Sequence, residues 1–182
     1  MKRLLDTRVL KAKEFSREAH RGQKRKYTGE DYYYHTRDVA HLVWVSGGSV
    51  EAICAAYLHD TIEDTETTYN ELLGVFGEVI ANMVLKLSDV SVLEDGNRAY
   101  RKKLDREAYT DACNDTKTVK LADLLSNTSS IVRYAKKFAA IYMKEKELLL
   151  PFLKGGNVDL YNQCEANIKD WKDNYAPMEG EL

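Results

Sequence analysis

Apolar residues along this chain recur mainly at every third and fourth position, the spacing that predicts helices. Leu4, Leu5, Val9, Ala12, Phe15 and Ala19 fall on one face of a helix over 4–19. The next segment, HRGQKRKYTGEDYYYHT, is rich in charge and aromatics and carries Gly22 and Gly29, which predicts a structured loop. Helical spacing resumes at Val39, Ala40, Leu42 and Val43. The SGGS of 46–49 closes that helix and offers Ser49 as the N-cap of the next. From Val50 to Asp60 the chain is unusually apolar, with Ala52 to Leu58 uninterrupted, which predicts a helix in the middle of the core.

Thr65 to Thr68 suits a turn and an N-cap, Tyr69 to Phe76 a short helix ended near Gly77, and Val79, Ile80, Met83, Val84 and Leu87 a further one. The stretch SDVSVLEDGN at 88–97 has no period and is expected to be a mobile loop. Two longer helices are expected over Arg98 to Ala112 and Lys117 to Tyr134, a third over Phe138 to Leu153, and a last amphipathic one over Asn157 to Tyr175. The tail APMEGEL, 176–182, is expected to fray. Internal repeats are absent and strand-like alternation is scarce. The expected architecture is all-α: a single bundle of about eight or more helices over residues 1–175.

Composition narrows this. For 182 residues, surface scaling gives about 9,000 Å² folded against about 30,000 Å² unfolded, enough to bury roughly 70% of the chain's surface in one core. Lysine and arginine number 27 against 29 acidic residues, a net charge of −2, so no basic face for a nucleic acid polymer is expected. The longest stretch free of charged residues, Val39 to Val50, contains His41, Ser46, Gly47 and Gly48, which excludes a membrane helix. MKRLLDTRVLKAKEF lacks the features of a secretory signal, and a cytoplasmic protein is expected. Cys54, Cys113 and Cys164 form no CxxC pair and read as reduced, mostly buried thiols.

The chemistry concentrates around the core helix. His59-Asp60 stands at its C-terminal end, followed by Glu63-Asp64. On a helical continuation His59 and Glu63, and Asp60 and Asp64, form adjacent stripes on one edge. Charging such a region is costly without a compensating cation, which points to a metal. Taken alone, the four residues fit equally a solvated acidic turn with His59 as a cap. Two further residues change the balance. His35 ends the run DYYYH, and Asp123 lies among Val119, Leu121, Ala122, Leu124 and Leu125, where a carboxylate needs a partner. Two imidazoles (His35, His59) and two carboxylates (Asp60, Asp123) make a mixed N/O donor set, better suited to Mn²⁺, Fe²⁺ or Zn²⁺ than to Ca²⁺.

With these motifs the chain resembles the HD-domain metal phosphohydrolases, and more narrowly the hydrolase domain of the RelA/SpoT alarmone enzymes. The blocks AHRGQKRKYTGEDYYYH (19–35), AAYLHDTIEDTETT (55–68), FGEVIANMV (76–84) and VKLADLLSN (119–127) are similar in order and spacing to that family's own. The resemblance spans roughly residues 5–135 and implies an HD-type hydrolase domain over 1–175. It implies that His35, His59, Asp60 and Asp123 hold one Mn²⁺, with Fe²⁺ or Zn²⁺ as alternatives, and that Glu63 and Asp64 position or deprotonate the attacking water. Arg25 and Lys26 would meet the phosphates, and Asn127 the sugar or 3′ region. The implied reaction removes the 3′-pyrophosphate from (p)ppGpp, giving GDP or GTP and pyrophosphate. The implied partner is a guanosine polyphosphate or related small nucleotide, with no nucleic acid polymer and no membrane; the oligomeric state stays open. Nothing in the chain resembles a synthetase or regulatory domain, so the resemblance implies a stand-alone small hydrolase.

Thr36 stands where the family has a proline, which loosens a turn but removes no ligand, and two further departures bear on substrate rather than chemistry: Ser129 for an arginine, and Ser126 for a histidine or tyrosine. They keep open a second substrate class, a nucleoside monophosphate or NADPH. A non-catalytic nucleotide sensor would be expected to lose ligands or the acidic pair, and none is lost. His20 is expected to hold the following loop, and His41 to be packed or on the surface. Arg98, Arg101, Lys102, Lys103 and Arg106 read as a solvated helix face, with a basic lid over a polyphosphate as the alternative. Tyr32, Tyr33 and Tyr34 read mainly as core and rim.

Overall fold

The apolar run Ala52 to Leu58 is the centre of the molecule: Ala52, Ile53, Cys54, Ala55, Ala56 and Leu58 are fully buried. The computed structural model describes residues 2–175, so the tail 176–182 lies outside the described residues. In chain order the α-helical segments are α1 Thr7–Ala19, α2 Tyr32–Val45, α3 Val50–Leu58, the single turn α4 Thr61–Asp64, α5 Tyr69–Phe76 and α6 Glu78–Leu87. They continue with α7 Arg98–Glu107, α8 Asn114–Tyr134, α9 Lys136–Leu149 and α10 Val158–Asn174. Shorter 3₁₀ turns lie at Lys2–Leu5, Leu93–Asp95 and Leu150–Leu153. Among the described residues there is no strand, only an isolated antiparallel bridge between Lys24 and Asp31. The all-α architecture is as the periodicity predicts.

Helix α3 packs against α1, α2, α6 and α8. Ser49 starts it, its hydroxyl accepting from the Ala52 amide at 3.0 Å. Alanines at 52, 55 and 56 let the surrounding helices approach, while burial of Ile53 and Leu58 contributes roughly 1.5–3 kcal/mol each. The axial helix therefore carries its last residues to a point that four neighbours already enclose.

Several boundaries differ from expectation. The first helix begins at Thr7, because the Asp6 carboxylate accepts from the Arg8 amide at 2.9 Å and caps it; Leu4 and Leu5 belong to the preceding 3₁₀ turn. The end of the aromatic run is not loop: Tyr32 to Thr36 are the first turns of α2. Their apolar spacing is masked by tyrosines, yet His35 and Thr36 are buried and the Thr36 hydroxyl, donating to the Tyr33 carbonyl at 3.0 Å, also bonds that of Ser16 at 2.9 Å. The core helix stops at Leu58, two residues early, and helix resumes only at Thr61. The helix from Arg98 ends at Glu107, and α8 starts at Asn114. Cys54 and Cys164 are buried, while Cys113 is exposed.

Candidate metal centre

Four elements converge on one point. The second turn of α2 brings His35, the end of α3 brings His59, the break after α3 brings Asp60, and the middle of α8 brings Asp123. At the break Asp60 adopts φ −98° and ψ 0°, and its carbonyl accepts from the Asp64 amide at 2.8 Å, so α4 is a separate turn and not a continuation of α3. This replaces the two continuous stripes expected on a single helix, and it lets the adjacent side chains of His59 and Asp60 share one target.

One ligand atom each of His35, His59 and Asp123 lies within 4.8 Å of the others, and all three residues are buried. The Asp60 Oδ2 atom stands 2.9 Å from His59 Nε2 and 3.6 Å from His35 Nε2. Asp123 Oδ1 is 3.3 Å from His35 Nε2 and 3.8 Å from His59 Nε2. Neither Nε2 makes a hydrogen bond despite these distances: the ring nitrogens face a common space instead of a carboxylate lone pair. His59 donates Nδ1–H to the Ala56 carbonyl at 2.9 Å, and His35 Nδ1 pairs with the Ser126 hydroxyl at 2.9 Å, which leaves both Nε2 atoms as the free donors. Two orphaned imidazole nitrogens beside two carboxylates fit a divalent cation.

The electrostatics agree. Burial opposes charge on His59, but Asp60 and Asp123 outweigh it and push the imidazole up to about 10. Burial likewise opposes charge on Asp60, where His59 and His35 prevail, and on Asp123, where Lys120 and the two histidines prevail; both carboxyls are held well below the usual carboxylate range. A field that so favours a proton between carboxylates favours a metal cation in its place.

Supporting contacts surround the centre. The Tyr32 hydroxyl donates to Asp60 Oδ2 at 2.8 Å, Lys120 Nζ lies 3.0 Å from Asp123 Oδ2, and the Asn127 amide donates to Asp123 Oδ1 at 2.5 Å. Sequence reasoning missed Tyr32, Ser126 and Lys120, although each stands three positions from His35 or Asp123 on the same helix face. Ser126, weighed as a departure affecting substrate contacts, also holds a site histidine. His20, buried and stacked on Tyr32 at 4.9 Å, bonds Gln23 at 2.6 Å and stays outside the cluster; His41 is exposed.

Two cavities flank the cluster. One, of 280 Å³, is lined by Asp60, Asp123 and Asn127 on the metal side, by Glu63 and Asp64, and by Lys102, Arg106, Lys120 and Lys146. Glu63 Oε2 accepts from the Asp89 amide at 3.3 Å, and burial with the Asp89 charge raises its carboxyl. The other cavity, of 620 Å³, is lined by His35 and Ser126 together with Arg25, Arg37, Arg133, Tyr34 and Tyr134. There Arg25 donates to the Ser130 hydroxyl at 3.1 Å. Lys26 lines neither cavity; it is exposed above the Tyr27 ring. Of the basic run, Lys102 and Arg106 face the smaller cavity, whereas Arg98 pairs with Glu145 and Lys103 with Glu107, so only part of it is a solvated face.

Comparison with known proteins matches residues 12–143 to the HD domain. This chain belongs to the HD-domain family. The guanosine-3′,5′-bis(diphosphate) 3′-pyrophosphohydrolase of Aquifex aeolicus is 34% identical over 174 residues, covering 92% of this HD-domain chain and 24% of that protein, so the chain spans about a quarter of that relative. The 3′-pyrophosphohydrolase MESH1 of Danio rerio is 38% identical over 128 residues, 69% of each chain. Human MESH1 is 34% identical over 128 residues, 69% of this chain and 70% of its own. Among solved structures, a metazoan SpoT ortholog that hydrolyses ppGpp superimposes with a TM-score of 0.82 at 21% identity, covering 91% of this chain and 96% of its own. A Listeria monocytogenes protein superimposes with a TM-score of 0.65 at 22% identity over 81% and 98%. Both structures share the fold of this HD domain.

Proposed function

We propose that this HD domain, over residues 1–175, is a Mn²⁺-dependent 3′-pyrophosphohydrolase of (p)ppGpp, acting in the cytoplasm. The observation that carries this reading is the pair of buried, unpartnered Nε2 atoms of His35 and His59 facing Asp123 beside a cavity that holds Glu63 and Asp64. Relatives named for this activity support it. No helix among the described residues is long and apolar enough to cross a membrane.

His35, His59, Asp60 and Asp123 would hold the ion, whose bound charge polarises a phosphoryl oxygen as a Lewis acid. Mn²⁺ suits the two imidazoles and two carboxylates, with Fe²⁺ and Zn²⁺ as alternatives. Glu63 takes a proton from the attacking water, a role that its raised carboxyl favours, and Asp64 orients that water. The water oxygen bonds to the phosphorus next to the ribose, the bond from that phosphorus to the 3′-oxygen breaks, and the 3′-oxygen leaves with the proton that Glu63 took, which returns Glu63 to its carboxylate. Arg25, in the larger cavity, binds the nucleotide's other phosphates in a planar fork. Lys26 contributes only its outer field. Asn127, its amide nitrogen held by Asp123, offers its carbonyl oxygen to a ribose hydroxyl.

The test is a product-resolved assay of protein stripped and reloaded with Mn²⁺, on ppGpp beside GMP, dAMP and NADPH. GDP with pyrophosphate is expected, lost in Asp60→Ala and Glu63→Ala. Intact ppGpp with turnover of another nucleotide would move the substrate while keeping the metal centre.

A further inference from the structure

Seven carboxylates and four cationic side chains line the smaller cavity, and pairing decides which of these charges are free to act. Lys102 is shared by Asp89 and Asp105, the latter at 2.9 Å. Lys120 is committed to Asp123 at 3.0 Å, and Glu145 takes Arg98 at 2.7 Å. Asp60 and Asp123 belong to the metal centre. Glu63 and Asp64 remain as free anions on one side; Lys146 on α9 and Arg106 on α7, neither with an ion pair among the described residues, remain as free cations.

Lys146 is an unusual place for a lysine to rest. Its ammonium lies over the Tyr142 ring, 4.8 Å from the centroid, which compensates only part of its lost hydration. Burial, then the positive charge of Lys120, press it down to about 8. A cation held in this way gains most from an incoming anion. The direction of approach is also set: Glu63 and Asp64 repel a second phosphate from their side of the cavity, while the wall formed by α7 and α9 attracts it. An ammonium suits a phosphate as a point charge, and Arg106 adds a guanidinium able to bind two of its oxygens.

We propose that Lys146, with Arg106, binds the distal phosphate of the substrate's 3′-diphosphate, and so determines preference for a 3′-diphosphate over a 3′-monophosphate. This rests on the pyrophosphohydrolase reading above and adds to it a residue-level basis for choosing the pyrophosphoryl group.

The experiment is calorimetric titration of the Mn²⁺-loaded chain with inorganic pyrophosphate and, separately, with GDP, in wild type, Lys146→Met, Lys146→Arg and Arg106→Met. Methionine keeps the apolar stem over Tyr142, and Arg106→Met reads the same site from a different helix. The expected result is pyrophosphate affinity lowered about tenfold or more in Lys146→Met, largely restored in Lys146→Arg, with GDP affinity unchanged. In turnover, kcat/KM should fall for ppGpp but not for the analogue with a single 3′-phosphate. Unchanged pyrophosphate affinity, or equal losses for pyrophosphate and GDP, would overturn the assignment. A wild type that binds pyrophosphate through Lys146 but leaves ppGpp intact would sink the catalytic reading instead.

Discussion

On one side of the smaller cavity stand Asp60, Asp123 and Asn127, on the other Lys102, Arg106 and Lys146, and the two sides are held in place by different forces. The metal side is presented by α2, α3 and α8, whose side chains fill the core around Ile53, Leu58 and Leu121. The opposite side rests in part on α7, in which Asp105 is the sole buried residue, docked by Lys102 to Asp89, by Asp105 to the Ser91 amide and by Arg98 to Glu145. Close packing fixes atoms to fractions of an ångström, whereas ion pairs at a surface hold long side chains loosely and cheaply. Ligand geometry therefore belongs to the core, and selection among substrates to a wall that tolerates replacement.

The largest effect is expected on the metal side. Asp123→Ala removes a buried proposed ligand and leaves the half-buried Lys120 without its partner. Metal stoichiometry should fall towards zero, activity should fall at least about 10³-fold, and the chain should lose on the order of 3–5 kcal/mol. Metal analysis, turnover and thermal unfolding check the three. Undiminished metal content would break the contrast at its root.

A smaller loss is expected one bond further out. Ser126→Ala frees His35 Nδ1, and metal affinity should fall about 10–100-fold while the fold is kept. Competition with a chelator measures it; unchanged affinity would mean that packing alone orients the ring.

The smallest effect belongs to the ion-paired side. Burial and Asp89 raise the Glu63 carboxyl, so a base that must be ionised loses activity, as pH falls, sooner than an ordinary carboxylate would. In Asp89→Asn the negative neighbour is gone and Lys102 is less compensated. Both changes favour ionised Glu63, so the acid limb of the rate profile should move to lower pH with little change at neutral pH. A limb that stays in place would show that Glu63 is not the titrating base.

Much of this was legible in the chain. The apolar period marked α3 as central, and Ser49, Thr68 and Asn157 cap α3, α5 and α10 with their side chains. His35, His59, Asp60 and Asp123 were singled out as chemistry set in apolar surroundings, and the structure brings them together. The entry into α2 was less legible, because three tyrosines in succession hide which face is buried. So was the break at Asp60: the nine apolar-rich residues of α3, about two and a half turns without a glycine or proline, give no local signal to stop. Tyr32, Ser126 and Lys120 could have been found by counting three positions along their own helices from His35 or Asp123.

Lys146 could not. Its sequence neighbourhood, Lys144 to Glu147, is an ordinary charged helix face, and nothing in it distinguishes the lysine that enters the cavity from the one that meets solvent. The chain by itself determined the elements, the buried axis and the residue types available for the centre, because those depend on local periodicity and on the cost of burying charge. That Arg98 takes Glu145 across 47 positions, and that Lys146 and Arg106 line one cavity with no ion-pair partner among the described residues, was decided only when α7, α8 and α9 packed together. Lys120 and Lys102 meet Asp123 and Asp105 three positions away on their own helices, but the distance between one helix and another does not exist until they have met.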